Sequence, residues 1–177
     1  MIRFVDPDKF EEVKDSFHKH TETLFNDYAN TFEKHLEKNL KYRIPTVIRE
    51  KVHELHEGET TLRILDLGCG TGLIGDEIKK YCSNLEGIDL SKQMLKIASA
   101  KNIYNKLQHK DIVEYLSTED LDFNYFISSD VFIYVGELSE IFKLIKLRNK
   151  LKGKFIFSTE PFSRIILSLV SLFHIPL

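Results

Sequence analysis

The feature that most constrains this chain is the run from Ile64 to Gly75, ILDLGCGTGLIG, where an apolar strand breaks into closely spaced glycines and resumes as a helix. A strand, a tight turn and a helix in that order begin a crossover unit, because glycine lets the backbone turn where a side chain would collide. The same texture continues downstream. Apolar runs at RILDL, LEGIDL, NKLQHK, NYFISSD and KFIFST alternate with amphipathic ones at GLIGDEIKKY, SKQMLKIASAK, DIVEYL and ELSEIFKLIKLRNKL. Parallel strands need crossovers, and the crossovers cover the sheet, so this alternation predicts an α/β fold built on a doubly wound, mostly parallel sheet.

Upstream of the sheet the texture is helical. Leu24, Tyr28, Phe32, Leu36 and Leu40 recur every four residues, with Phe25 and Ala29 widening the stripe, so residues 8–41 read as one amphipathic helix or two with a break. Pro45 opens a second helical run, PTVIREKVHELHEG, with Gly58 as its stop. The chain divides into an N-terminal helical segment over 1–58, an α/β core over 59–160 and an apolar tail over 161–177. At 177 residues with 42% hydrophobic content it is sized for one compact domain. A net charge of -2 supplies none of the cationic excess that nucleic-acid binding draws on, so no nucleic-acid partner is expected. Two cysteines, Cys69 and Cys82, without a CxxC pair or a secretory start, point to a reducing, cytoplasmic setting.

The glycine run contains two overlapping phrases. Gly70, Gly72 and Gly75 spell GxGxxG, the dinucleotide pattern, while Asp66, Gly68, Gly70 and Gly72 spell DxGxGxG. In a dinucleotide fold the first glycine ends the first strand and an acid follows about 20 residues on; here Gly70 comes three residues after Leu67, and Asp89 lies only 14 past Gly75. The second phrase fits better, with Gly68 directly after RILDL. Asp66 is the informative residue, since a carboxylate near the end of an apolar central strand is costly to bury unless paired. It would repel a pyrophosphate but could hold an ammonium group, directly or through water. Asp89 ends the second strand, where a carboxylate can accept from both hydroxyls of a ribose. Together the two acids point to a nucleoside carrying a cationic amino acid, S-adenosylmethionine.

LDLGCGTG, GIDLSKQMLKIA, HKDIVEYL and SSDVFIYVG resemble the successive motifs of class I S-adenosylmethionine-dependent methyltransferases. The N-terminal FNDYANTFEKHLEKNLKYRIP resembles that of a bacterial subgroup, some of whose relatives carry tetratricopeptide repeats; this chain carries no repeat. The resemblance covers roughly Leu24 to Glu160 and implies a Rossmann-like fold with an N-terminal helical lid. It further implies that Asp66, Gly68, Gly70 and Gly72 lie beneath the methionine moiety and that Asp89 clamps the ribose. Leu90 and Met94 would flank the adenine, Asp111 and the Ile112 backbone would meet its amino group, Ser129 and Asp130 would sit at the methyl-transfer mouth, and Tyr28 would close over the cofactor. Simpler roles compete. Asp89 could cap the helix beginning near Ser91, Asp111 could cap IVEYL, and Met94 and Tyr28 could be packing residues.

Methyl transfer from a sulfonium is an in-line displacement, and a general base is needed only where the acceptor must lose a proton. No catalytic residue is singled out. SDVFIYVG lacks the Asn/Asp-Pro-Pro-aromatic signature of amino-group methylation on bases or glutamine, which leaves a small-molecule or carrier-bound acceptor as the expectation. A noncatalytic or decayed cofactor-binding protein is the alternative, with a nicotinamide-dependent oxidoreductase ranked below it. His53 and His56 sit three apart beside Glu54 and Glu57, but a solvated charged face accounts for such a run, and no metal is expected. After KFIFSTE only 17 residues follow, and they do not read as the family's final antiparallel hairpin. Without a hairpin the fifth strand would be an open edge, and three expectations compete: a terminal helix that covers it, a surface for a second subunit on the apolar tail, or, favoured here, a C-terminally truncated and frameshifted product. The apolar stretch Ile165–Leu177 spans 13 residues, short of the about 20 that cross a bilayer.

Overall fold

The computed structural model describes residues 7–40, 42–56, 61–134, 138–158 and 167–171. A single helix, α1 (Pro7–Leu40), and a shorter one, α2 (Ile44–Leu55), precede the sheet. The α/β part runs β1 (Leu62–Leu67), α3 (Leu73–Ile78), a 3-10 turn (Lys79–Tyr81), β2 (Cys82–Asp89), α4 (Lys92–Ala100), β3 (Lys106–His109), α5 (Ile112–Thr118), β4 (Tyr125–Ser128), a 3-10 turn (Phe132–Tyr134), α6 (Leu138–Arg148), β5 (Lys154–Ser158) and β6 (Leu167–Ser171). The six strands lie in the order β3-β2-β1-β4-β5-β6, with the first five parallel. Strand order reverses between β1 and β4, the switch point beyond whose carboxyl ends open α/β sheets bind their ligands.

Alternation along the strands makes two cores. Leu65, Leu67, Phe126, Phe155 and Phe157 point to the face covered by α5 and α6, while Ile64, Tyr125, Ile127 and Ile156 point to the face covered by α2 and α3. In α2, Ile44, Ile48 and Val52 recur at four-residue spacing and are buried at 2% exposure or less, which is why this short segment holds its place. No described helix is long and apolar enough to cross a membrane.

One expectation is corrected. The edge of β5 is not open: β6 pairs with it antiparallel over five residues, from Lys154 opposite Ser171 to Ser158 opposite Leu167. An edge strand presents a row of unpaired N–H and C=O groups, and any returning segment of extended, apolar chain can satisfy them. Where a covering helix, a subunit contact or a truncated end is expected, the tail over Leu167–Ser171 is instead a strand on the β5 edge. The oligomer contact expected of the apolar tail rests on side chains outside the described residues.

Candidate cofactor and methyl-transfer site

The carboxyl ends of β1, β2 and β4 bring the predicted residues to one rim. After Leu67 the chain turns through Gly68, Gly70 and Gly72 with φ of 72°, 54° and 86°, all in the left-handed region that L side chains enter only at a cost. The Gly68 and Cys69 N–H groups both donate to the Ile88 carbonyl at 2.9 Å, tying the turn to β2. Space excludes a side chain at Gly68 as well: a Cβ there would lie 2.3 Å from Val131 Cγ2 in the loop after β4.

Asp66 is fully buried at 0% exposure. Its Oδ2 accepts from the Tyr104 hydroxyl at 2.7 Å, while Oδ1 has no partner. Burial, only partly offset by that bond and reinforced by the nearby Asp89 carboxylate, pushes its carboxyl up to about 7. Asp89 accepts from the Gly70 N–H at 2.8 Å on one oxygen and from the Ser91 N–H at 2.7 Å on the other. Its carboxyl is also raised, desolvation outweighing these backbone bonds. Asp89 therefore braces the glycine turn against β2, and the N-cap of α4 is Ser91, whose Oγ accepts from the Met94 N–H at 3.1 Å. Leu90 is half-buried, and Met94 is buried at 1% exposure. Asp111 is the N-cap of α5, accepting from the Glu114 N–H at 3.0 Å, and Ile112 follows it buried at 7%.

Helix α1 lies across this rim, touching it turn by turn. His18 Nε2 lies 3.7 Å from Asp111 Oδ2, and Glu22 Oε1 lies 3.3 Å from His109 Nε2. Asn26 Oδ1 accepts from Ser91 Oγ at 2.8 Å and from the Gln93 N–H at 3.2 Å, so α4 is capped partly from another helix. Further along, Glu33 pairs with Lys101 at 2.8 Å, and Phe32 Cε1 lies 3.9 Å from where a Gly70 Cβ would be. Positions 18, 22, 26 and 33 fall on one face, which is why one helix meets the segments after β3, β2 and β1. Tyr28 lies on the neighbouring stripe, edge to face with Phe32 at 5.4 Å and with His35 at 5.6 Å. Phe25 meets Tyr134 of the segment after β4 at 5.1 Å, and burial beside Tyr134 raises the Tyr28 phenol.

At the mouth beyond β4, Asp130 takes a left-handed φ of 55°. Its Oδ2 accepts from the Tyr42 hydroxyl at 2.6 Å and its Oδ1 from Ser158 Oγ at 2.9 Å, and its own N–H donates back to Ser158 Oγ at 2.9 Å. Ser129 Oγ lies 3.1 Å from the same Tyr42 hydroxyl. Burial and the Asp130 carboxylate hold the Tyr42 phenol far above its usual range, so it stays a donor. Asn26, Tyr42, Tyr104 and Ser158 are the residues that sequence reasoning missed. Tyr42 stood within the quoted KYRIP, but nothing in its neighbours signals a bond to a residue 88 positions away.

Residues 64–151 match the model of a family described as a methyltransferase domain. The α/β core over these residues is similar to that methyltransferase-domain family. A malonyl-[acyl-carrier protein] O-methyltransferase of Bacillus cereus is 25% identical to it over 140 residues, covering 76% of this chain and 50% of that protein. The chain thus spans about half the length of the curated relatives it matches. Among solved structures, an S-adenosylmethionine-dependent methyltransferase from Clostridium acetobutylicum superposes with a TM-score of 0.57 at 25% identity, covering 76% of this chain and 56% of that one. A magnesium protoporphyrin IX methyltransferase from Synechocystis, solved with bound SAH, gives a TM-score of 0.60 at 17% identity over 82% of this chain and 73% of that one, a likeness of fold.

Proposed function

We propose that this domain binds S-adenosylmethionine along the β1–β2 rim beneath α1 and directs its methyl group to a small-molecule or carrier-bound acceptor at the β4 mouth. The observation that carries the reading is the unpartnered, buried Oδ1 of Asp66 under a turn of three left-handed glycines. A buried acid with one oxygen unpaired suits a cationic group and disfavours a pyrophosphate. Asp66 with the Gly68–Gly72 turn would hold the amino-acid end and Asp89 the ribose hydroxyls, its oxygens each retaining a lone pair beyond the backbone bonds they accept. Leu90, Met94, Asp111 and Ile112 would serve the adenine end, with Met94 acting from within the packed interior, and Tyr28 would close over the site from α1. Ser129 and Asp130 would border the acceptor.

When bound, the cofactor supplies a methyl carbon on a sulfonium, a good leaving group, so the protein's part is positioning and exclusion of water. The aromatic stripe of α1 and Tyr134 supports the second role. The match to a malonyl-carrier methyltransferase supports a carrier-bound or small acceptor as the class. Calorimetry with S-adenosylmethionine and S-adenosylhomocysteine tests the cofactor half: binding by the wild type and its loss in Asp89→Ala are expected, and absence of both heat and thermal stabilisation would sink the reading. Release of S-adenosylhomocysteine on adding a carboxylic or carrier-bound acceptor separates an enzyme from a noncatalytic binder. Tight NAD binding without the sulfonium cofactor would instead favour an oxidoreductase.

A further inference from the structure

We propose that Tyr104 is a positioning residue of the cofactor site, its hydroxyl holding one oxygen of Asp66 so that the other is the free acceptor for a cationic group. Tyr104 lies in the loop between α4 and β3, 38 residues from its partner, and donates to Asp66 Oδ2 at 2.7 Å. Its seat is made by glycines. A Cβ on Gly75 would lie 2.5 Å from the Tyr104 hydroxyl oxygen, one on Gly87 2.9 Å from Cε1, and one on Gly72 3.1 Å from Cε2. Gly75 is the last glycine of the GxGxxG string; here it makes room for a phenol.

A ring that only filled space could do so without a hydroxyl. Burying one costs free energy unless it is bonded, and this one is bonded to the acid beneath the glycine turn. Fixing one carboxylate oxygen also fixes the direction of the second, which no other side chain satisfies. A hydrogen bond to the ionised form favours ionisation, so Tyr104 opposes the upward push that burial and Asp89 exert on Asp66.

Tyr104→Phe keeps the ring in its seat and removes only the donor. The first measurement needs no cofactor: carboxyl-carbon NMR of the full chain labelled at aspartate, with Asp66 assigned by its disappearance in Asp66→Asn. The Asp66 midpoint is expected to rise by about one to two pH units in Tyr104→Phe, the size of one lost hydrogen bond to a charged acceptor. Gly75→Ala, which pushes the hydroxyl aside, should move it the same way. An unmoved midpoint in both variants overturns the proposal.

The second measurement rests on the S-adenosylmethionine reading. Titration with S-adenosylhomocysteine across pH should show Tyr104→Phe about tenfold weaker near neutrality and recovering toward wild type about two units higher, as Asp66 becomes mostly ionised in the variant too. Equal weakening at every pH would mean a structural role and overturn it. A shifted NMR midpoint with no binding by wild type would overturn the cofactor reading while leaving the Tyr104–Asp66 bond in place.

Discussion

Asp66→Asn isolates what the chain gives up to keep an acid beneath the glycine turn. In the folded domain Asp66 titrates near 7 instead of the ordinary 3.8, a rise of roughly three units at about 1.4 kcal/mol each, or roughly 4 kcal/mol. Because the folded pKa is the higher one, the contribution is fully present below about pH 4, where both states hold the proton. It is lost as pH rises, since the unfolded carboxyl ionises first, and the loss levels off once the folded group ionises near 7. Asparagine escapes that loss but buries an amide N–H where Oδ1 now lacks a partner, which costs about 1–3 kcal/mol. The variant should therefore be more stable than wild type by roughly 1–3 kcal/mol at about pH 8, an increase in Tm of roughly 2–12 °C for a chain of this length. That advantage should shrink by roughly 3 kcal/mol on going to about pH 4.5. Calorimetric or circular-dichroism melts across this range make the comparison, with S-adenosylhomocysteine binding measured beside them and expected to fall about tenfold or more. Equal melting temperatures at the alkaline end, or a difference that does not change with pH, would refute the assignment of Asp66 as a strained, functional acid.

Gly68→Ala forces a left-handed alanine against Val131 and should destabilise by about 2–4 kcal/mol in denaturant unfolding; Gly68→Ala with Val131→Ala should recover the collision part only, and full additivity would contradict the clash expected where a Gly68 Cβ would lie 2.3 Å from Val131 Cγ2. Asn26→Ala removes the cap that α1 lends to α4 and should cost about 1 kcal/mol, with faster amide exchange along α1; unchanged exchange would detach α1 from the rim. Tyr42→Phe deletes a bond to the Asp130 carboxylate and should cost about 1.5–3 kcal/mol, read from chemical unfolding. Asp89→Ala frees the Gly70 and Ser91 N–H groups together, so lost cofactor affinity should come with a stability loss of about 2 kcal/mol or more; affinity lost with stability intact would argue that Asp89 does not brace the turn.

Much of the architecture was legible because it rests on local rules. Strand alternation, the four-residue spacing of Leu24 to Leu40 and the helix-starting Pro45 act over a few residues, and each appears as a helix or strand where expected. Asp66, Gly68, Gly70, Gly72, Asp89 and Asp130 could be placed on one rim because parallel strands must all end on the same side of the sheet. What each does there was less legible. Asp111 caps a helix, as its residue type also allowed, and Asp89 proved to be a brace for the turn while Ser91 took the cap.

The parallel sheet, the position of the glycine turn and the set of acids at its rim follow from periodicity and from the backbone freedom of glycine, so they can be read along the chain. Tertiary structure alone decided the partners. Tyr104 reaches Asp66, Tyr42 reaches Asp130, Asn26 caps α4, and β6 closes the edge of β5. The three side-chain pairings join residues far apart in the chain, and their energies come from burial that no local pattern records. They also settle the ambiguous GTGLIG: its last glycine makes room for the tyrosine that holds Asp66.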